Sequence, residues 1–313
     1  MNDYISSVSM LEHFSNELLI ETFEYLSVQD LYNGFYGINI RFTSILASLT
    51  NLWGKLTSNK DALLPAFRFF ASGITMLDVD YADPIDLSLF HAIRSLRLSR
   101  EPDCGISHSI LELSNLEHLY VTYHSSMIFE VQNPLSIFVF GNYFPHLRTC
   151  QLSQVKLNKD YKWSIVSSLR SLYISTDDIL VYIQILQSCP SLDQLCIEFT
   201  NHKCMVSSFD CTPHQFLRRL DLYFQYVRLI NSQTIDLLLS VVPNVIYFSI
   251  NRIRNNRNPV TDDSLVPILH KRLPKLRHFH INVMYYTLVT ILSDSDDDID
   301  DDDTDDDDTD DDL

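Results

Sequence analysis

The sequence predicts an α/β chain in three parts: a small three-helix unit, a solenoid of strand–helix repeats, and an acidic tail without fixed structure. Three observations carry this. Apolar residues recur at helical spacing between residues 11 and 49. A unit of the form apolar-x-x-apolar-x-apolar recurs between residues 74 and 281. Fifteen Asp then fall within residues 294–312, with no Lys or Arg among them. The boundaries read as 8–53 for the helical unit, 54–73 for a helical linker, 74–292 for the repeats and 293–313 for the tail.

In the first helix Leu19, Phe23 and Leu26 fall at i, i+4 and i+7, with Leu18 beside them and Glu17, Glu21 and Glu24 opposite. Ser15 or Asn16 can cap its start. Ser27-Val28-Gln29-Asp30 is a Ser-x-x-acid capping box that opens the second helix, with Leu31, Phe35 and Ile38 as its apolar face. Phe42, Ile45, Leu46 and Leu49 give the third helix its stripe. So small a unit struggles to bury enough surface alone. Ile20 at the edge of the first stripe, and Leu11 and Phe14 before it, carry apolar surface outward, as a docking face does.

This stretch resembles the F-box, the module that joins a substrate receptor to a cullin-type ubiquitin ligase through a Skp-type adaptor. The family's Leu-Pro, Glu-Leu-Leu, Phe, Leu and Asp-Leu places hold Phe14-Ser15, Glu17-Leu18-Leu19, Phe23, Leu26 and Asp30-Leu31, with Ser15 in place of Pro. The resemblance implies adaptor contacts from Leu11, Phe14, Ser15, Leu18, Leu19, Ile20, Phe23, Leu26 and Leu31. It implies the substrate-recognition subunit of an SCF-type E3 ligase, non-catalytic in itself.

Residues 53–72, with Phe67, Phe69 and Phe70 after Pro65, read as a helical connector. Nine copies of the repeat then begin at Ile74, Ile93, Leu116, Leu147, Leu169, Leu192, Leu217, Val245 and Leu276. The fourth and sixth positions lie two apart and so share one side of a strand. Stacked copies build a core that no copy could build alone. Stretches 179–189, 234–242 and 264–273 between copies read as helices. The pattern resembles leucine-rich repeats in a degenerate form: Glu101, His124, Asp177 and Gln225 stand near where that family has Asn. Residues flanking the fourth position then project from the concave side. Among them Arg97, Tyr120, Tyr173, Arg219, Tyr247, His278 and His280 are of the types that anchor protein interfaces, and they are the expected contacts for an unknown protein target.

Several function classes are excluded. None of the six Gly lies beyond Gly141, and no phosphate-cradling loop or nucleophile elbow can be built. Of the net charge of −18, the tail carries −15 and leaves −3, which gives no basis for nucleic-acid binding. Cys196, His202, Cys204, Cys211 and His214 share one interval without the short ligand spacing of zinc sites. They read as structural cysteines and surface histidines, so no metal, cofactor or catalytic residue is expected. No signal-peptide pattern opens the chain and its apolar runs are too short to span a bilayer, so the expectation is an intracellular, cytoplasmic and/or nuclear protein with no membrane partner. Ser293, Ser295, Thr304 and Thr309 each precede an Asp by three residues and resemble acidophilic-kinase sites. The alternative function is a non-ligase leucine-rich-repeat protein whose acidic tail binds basic partners, resembling the acidic leucine-rich nuclear phosphoproteins.

Overall fold

The computed structural model describes residues 10–58, 60–80, 86–99, 109–122, 134–153, 155, 163–200, 211–224, 232–254 and 262–285. The tail and parts of the repeat connections lie outside the described residues. The fold is α/β, with one ten-stranded parallel sheet and eight α-helices among the described residues. The strands are neighbours in sequence order from first to last.

Three helices open the chain: α1 (Asn16–Phe23), α2 (Val28–Phe35) and α3 (Ile40–Ser48). Ser15 caps α1 by accepting the Leu18 N–H. The capping box forms: Ser27 Oγ accepts the Asp30 N–H at 3.1 Å and donates to Asp30 Oδ2 at 2.7 Å. One correction concerns Ile38, which is exposed rather than part of the α2 face. The helix stops at Phe35, and Gly37 turns the chain with φ +77°, a conformation that costs glycine little.

The predicted helical connector begins instead with strand β1 (Leu52–Leu56). It pairs with β2 (Ile74–Val79), Gly54 opposite Leu77 and Leu56 opposite Val79. The repeat pattern hides this strand for two reasons. Its register slips between Leu52 and Trp53, and glycine occupies the fourth-position column. Glycine is required there, because a Cβ on Gly54 would lie 2.8 Å from Cε1 of the buried Phe67 ring. A short helix, α4 (Pro65–Phe70), brings that ring over the strand.

The remaining strands are β3 (Ser95–Leu98), β4 (His118–Val121), β5 (Thr149–Leu152), β6 (Ser171–Thr176), β7 (Gln194–Phe199), β8 (Arg219–Phe224), β9 (Tyr247–Arg254) and β10 (His278–Tyr285). Each carries one of the predicted repeat copies. Leu77, Leu96, Leu119, Cys150, Leu172, Leu195, Leu220, Phe248 and Phe279 form one unbroken column of paired residues. All but Phe279 are buried. Four further helices lie between strands: α5 (Pro134–Phe140), α6 (Ile179–Ser188), α7 (Ser232–Ser240) and α8 (Asp262–Arg272). The last three match the predicted helical stretches to within two residues; α5 was not predicted.

One continuous core runs from Leu19 of α1 to Leu273 after α8. The helical unit is therefore part of the same packed body as the sheet, which answers its size problem. Tyr32 of α2 and Tyr36 just after it stack at 4.4 Å, and Phe69 of α4 meets the Tyr36 ring edge-on at 5.0 Å. Gln29 Nε2 donates to the Lys55 carbonyl on β1 at 3.0 Å. Among the described residues no helix is long and apolar enough to cross a membrane.

Candidate interaction surfaces

Two surfaces gather the predicted site residues. The first lies on the helical unit. Arg41 of α3 reaches back to the chain entering α1, where Nε donates to Asn16 Oδ1 at 2.9 Å and Nη1 to the Glu12 carbonyl at 2.7 Å. Nη2 donates to the Phe14 carbonyl. Asn39 Nδ2 adds a bond to Glu12 Oε1 at 3.0 Å. These bonds fix the backbone that presents Phe14, whose side chain is 45 % exposed, beside Leu18 at 52 %. Ser15 is also exposed.

Part of the predicted adaptor set is withdrawn by burial. Leu19, Phe23 and Leu31 are at most 1 % exposed and cannot meet a partner while the unit is folded. The cause is aromatic packing: the Phe23 ring lies 4.6 Å from Phe35 and 6.2 Å from Phe42. Leu11, Ile20 and Leu26 are partly buried against the same core. Sequence reasoning missed Tyr25 and Ile40, both 89 % exposed. The signal was present for Ile40, which falls outside the third helix's stripe.

The second surface is the face of the sheet away from the core. The predicted target-binding residues all stand on it, in two adjacent columns. Arg97, Tyr120, Tyr173 and His280 belong to the column that also holds Gln151, Cys196, Asp221 and Ser249. Arg219, Tyr247 and His278 belong to the other. Contacts knit six of the seven into two groups. On β3 and β4, Arg97 lies 5.8 Å from the Tyr120 ring centroid and 3.9 Å from Asp78. On β8 to β10, Arg219 sits 4.4 Å over the Tyr247 ring, and its Nε donates to Asp221 Oδ2 at 2.7 Å. The Tyr247 ring is 6.3 Å from His278 and 5.4 Å from His280. Tyr173 Oη donates to Glu198 Oε2 at 3.2 Å.

The electrostatics oppose chemistry on this face. Burial, with Asp221 and Glu198 nearby, pushes the Cys196 thiol far up, so it stays protonated and unreactive at neutral pH. Burial and Glu198 raise the Tyr173 phenol likewise. The hydrogen bond to Asp221 raises Arg219 above its ordinary range and holds it cationic. The face offers aromatic rings and cations held beside carboxylates.

His214 corrects a prediction. It is buried rather than on the surface. Its Nδ1 accepts the Leu217 N–H at 3.0 Å and its Nε2 lies 3.0 Å from the Cys189 carbonyl. Among the described residues no group of three or more His, Cys, Asp or Glu could hold a metal ion. No protein-family model matches the chain, and no curated protein matches it in sequence.

Proposed function

We propose that the chain is a non-catalytic recognition subunit. Its N-terminal helices act as an F-box that docks on a Skp-type adaptor of a cullin ligase, and its repeats, of leucine-rich type, hold a protein target on the open sheet face. The supporting observation is the Phe14–Leu18 pair. Two large apolar side chains stay exposed beside a complete core, on backbone that Arg41 holds in place. An exposed apolar pair on a fixed scaffold is what a docking contact needs. The role is proximity: the subunit raises the concentration of target near the transferring enzyme.

The test is binding of the full chain to a Skp-type adaptor. Wild type binds at micromolar concentration, which is about 8 kcal/mol of free energy. Phe14→Ala with Leu18→Asp removes apolar contact and places a charge where it must be desolvated, at several kcal/mol. Binding is then lost while the fold persists, because neither side chain belongs to the core. Absence of wild-type binding at micromolar concentration sinks the ligase reading.

A further inference from the structure

The sheet's hydrogen-bond ladder extends one residue before each of the strands β3 to β10. Arg94 N–H donates to the Thr75 carbonyl, Glu117 to Arg94, Arg148 to Glu117 and Arg170 to Arg148. Asp193 donates to Arg170, Arg218 to Asp193, Ile246 to Arg218 and Arg277 to Ile246. The second position of every repeat therefore falls in one row along the edge where the strands begin. Arg94, Arg148, Arg170, Arg218 and Arg277 of this row are all exposed. An outer row, two residues earlier in each repeat, carries Asn115, His146, Asn244 and the exposed Lys275, and no carboxylate. The two rows share a side. Towards the first strands they open a polar cleft of about 560 Å³, where Asn115 and His146 stand with Arg94, Glu117 and Arg148.

The edge is charge-segregated. Six Lys and Arg of the two rows stand against Glu117 and Asp193, a net of +4 in a chain that sums to −18. Glu117 lies 3.5 Å from Arg94 and Asp193 lies 3.7 Å from Arg218, and both arginines are exposed enough for solvent to weaken the pair. Among the described residues no carboxylate pairs with Arg148, Arg170 or Arg277. Arg170 Nη1 donates to the Ser191 carbonyl at 2.9 Å and to the Ser167 carbonyl at 3.2 Å, which fixes its guanidinium against the next repeat. Lys275 Nζ donates to Asn244 Oδ1 at 2.7 Å and joins the last two repeats in the same way. The open sheet face is different: its cations Lys55, Arg97 and Arg219 each lie beside a carboxylate.

We propose that this edge binds an extended, carboxylate-rich segment of a partner protein. Charge complementarity selects an anion, and five of the six cations are Arg, whose planar fork matches a carboxylate. Spacing selects an extended chain. Neighbouring strands lie about 4.8 Å apart, so Arg94 and Arg148, Arg170 and Arg218, and Arg218 and Arg277 are each separated by about 9.6 Å. Every third residue of an extended peptide recurs at about 10 Å, so carboxylates at that period meet successive arginines. From Arg94 before β3 to Arg277 before β10 the row crosses seven strand steps, roughly 34 Å, which about ten or eleven extended residues span. Single-stranded nucleic acid fits less well. It stacks its bases on successive aromatic rings, and the two rows hold one Phe, Phe216, and no Tyr or Trp. The site does not rest on the adaptor reading: none of these residues belongs to the three N-terminal helices, and its failure leaves that reading untouched.

The experiment titrates the full chain, whose own Asp residues compete throughout, into a fluorescein-labelled peptide of about twelve Glu and reads fluorescence anisotropy. At about 0.01 M salt, where screening acts over roughly 30 Å, wild type binds the peptide saturably, one per chain; at about 1 M, with screening over roughly 3 Å, binding is lost. Arg148→Gln, Arg170→Gln and Arg277→Gln together raise the low-salt Kd about tenfold or more, whereas Lys at the same three positions raises it by no more than about threefold. Absence of saturable wild-type binding at low salt overturns the proposal. So does an unchanged Kd in the Gln variant, which places the peptide elsewhere. Tighter binding of a uridine oligonucleotide of the same length overturns it as well, because the edge is then a nucleic-acid site. Should the triple Gln variant lose its folded spectrum, Arg148→Gln and Arg277→Gln taken singly decide: each weakens binding about twofold or more, and no change in either overturns the proposal.

Discussion

His214 is held in the turn before β8 with both ring nitrogens engaged. The Leu217 N–H donates to Nδ1, so Nδ1 carries no proton and Nε2–H donates to the Cys189 carbonyl. Burial lowers the pKa of this ring, and the Cys189 bond offsets that only in part. The folded state thus binds fewer protons than the unfolded state just below the ordinary histidine value of 6.5. This contribution is fully present above that value and is lost as pH falls beneath it. Thermal unfolding followed from pH 7 to about 5 should fall more steeply in wild type than in His214→Gln, whose amide cannot titrate. Parallel pH profiles would falsify the assignment. Gly54 makes a second prediction with an unexpected sign. Ala normally improves on Gly inside a strand by about 0.5–1 kcal/mol. Here the added Cβ meets a ring with no room to retreat, so Gly54→Ala should destabilise by about 1–3 kcal/mol. Denaturant unfolding checks it, and a gain in stability would show that Phe67 can move.

At the scale of elements, caps and stripes were legible while boundaries shifted. Ser27 caps where the sequence placed it, and Ser15 rather than Asn16 takes the α1 cap, because a cap is a local choice between a side chain and three following residues. Ser27→Ala should therefore cost about 1 kcal/mol. The strand β1 was not legible. Its single glycine answers to Phe67, thirteen residues later, and no periodicity records such a contact. Pairing between helices was equally invisible. Arg272 of α8 grips Asp236 of α7 with two bonds of 2.7 Å across 36 residues of chain. The Arg272 bond lowers the Asp236 pKa, so its contribution is present above the ordinary Asp value of 3.8 and is lost as pH falls through the lowered one. Both side chains are about 30 % exposed, so solvent weakens the pair. A double-mutant cycle with Ala should return a coupling of about 1 kcal/mol or less near neutral pH. A cycle that gives no coupling would mean the bidentate geometry does not persist in solution.

For the whole molecule, nine strands could be read in advance because their cores obey one period; the open face could be read only as a set of residue types. The grouping of Arg219, Tyr247, His278 and His280 depends on which strands are neighbours. Sequence order is spatial order here, as stacking of successive copies requires, but which side chains meet across the strands follows from the register. The same topology gives the body two unlike ends. At the first strand, α2 packs on β1 and bonds to its backbone. At the last, β10 pairs with β9 over eight residues but has no further strand beside it among the described residues. Its Phe279 and Ile281 remain partly buried, where Phe248 and Ile250 of β9 are fully buried. Among the described residues β10 has a strand on one side only, so it opens before the strands that have two. Phe248→Ala should cost about 3–5 kcal/mol, and Phe279→Ala markedly less, since less of its surface leaves water. Amide exchange in β10 should be faster than in β6 to β8, and Phe279→Ala should accelerate β10 and β9 while leaving β2 to β4 unchanged. If exchange rates are instead uniform from β2 to β10, the chain opens as one unit, and the β10 end is no weaker than the end on which α2 packs.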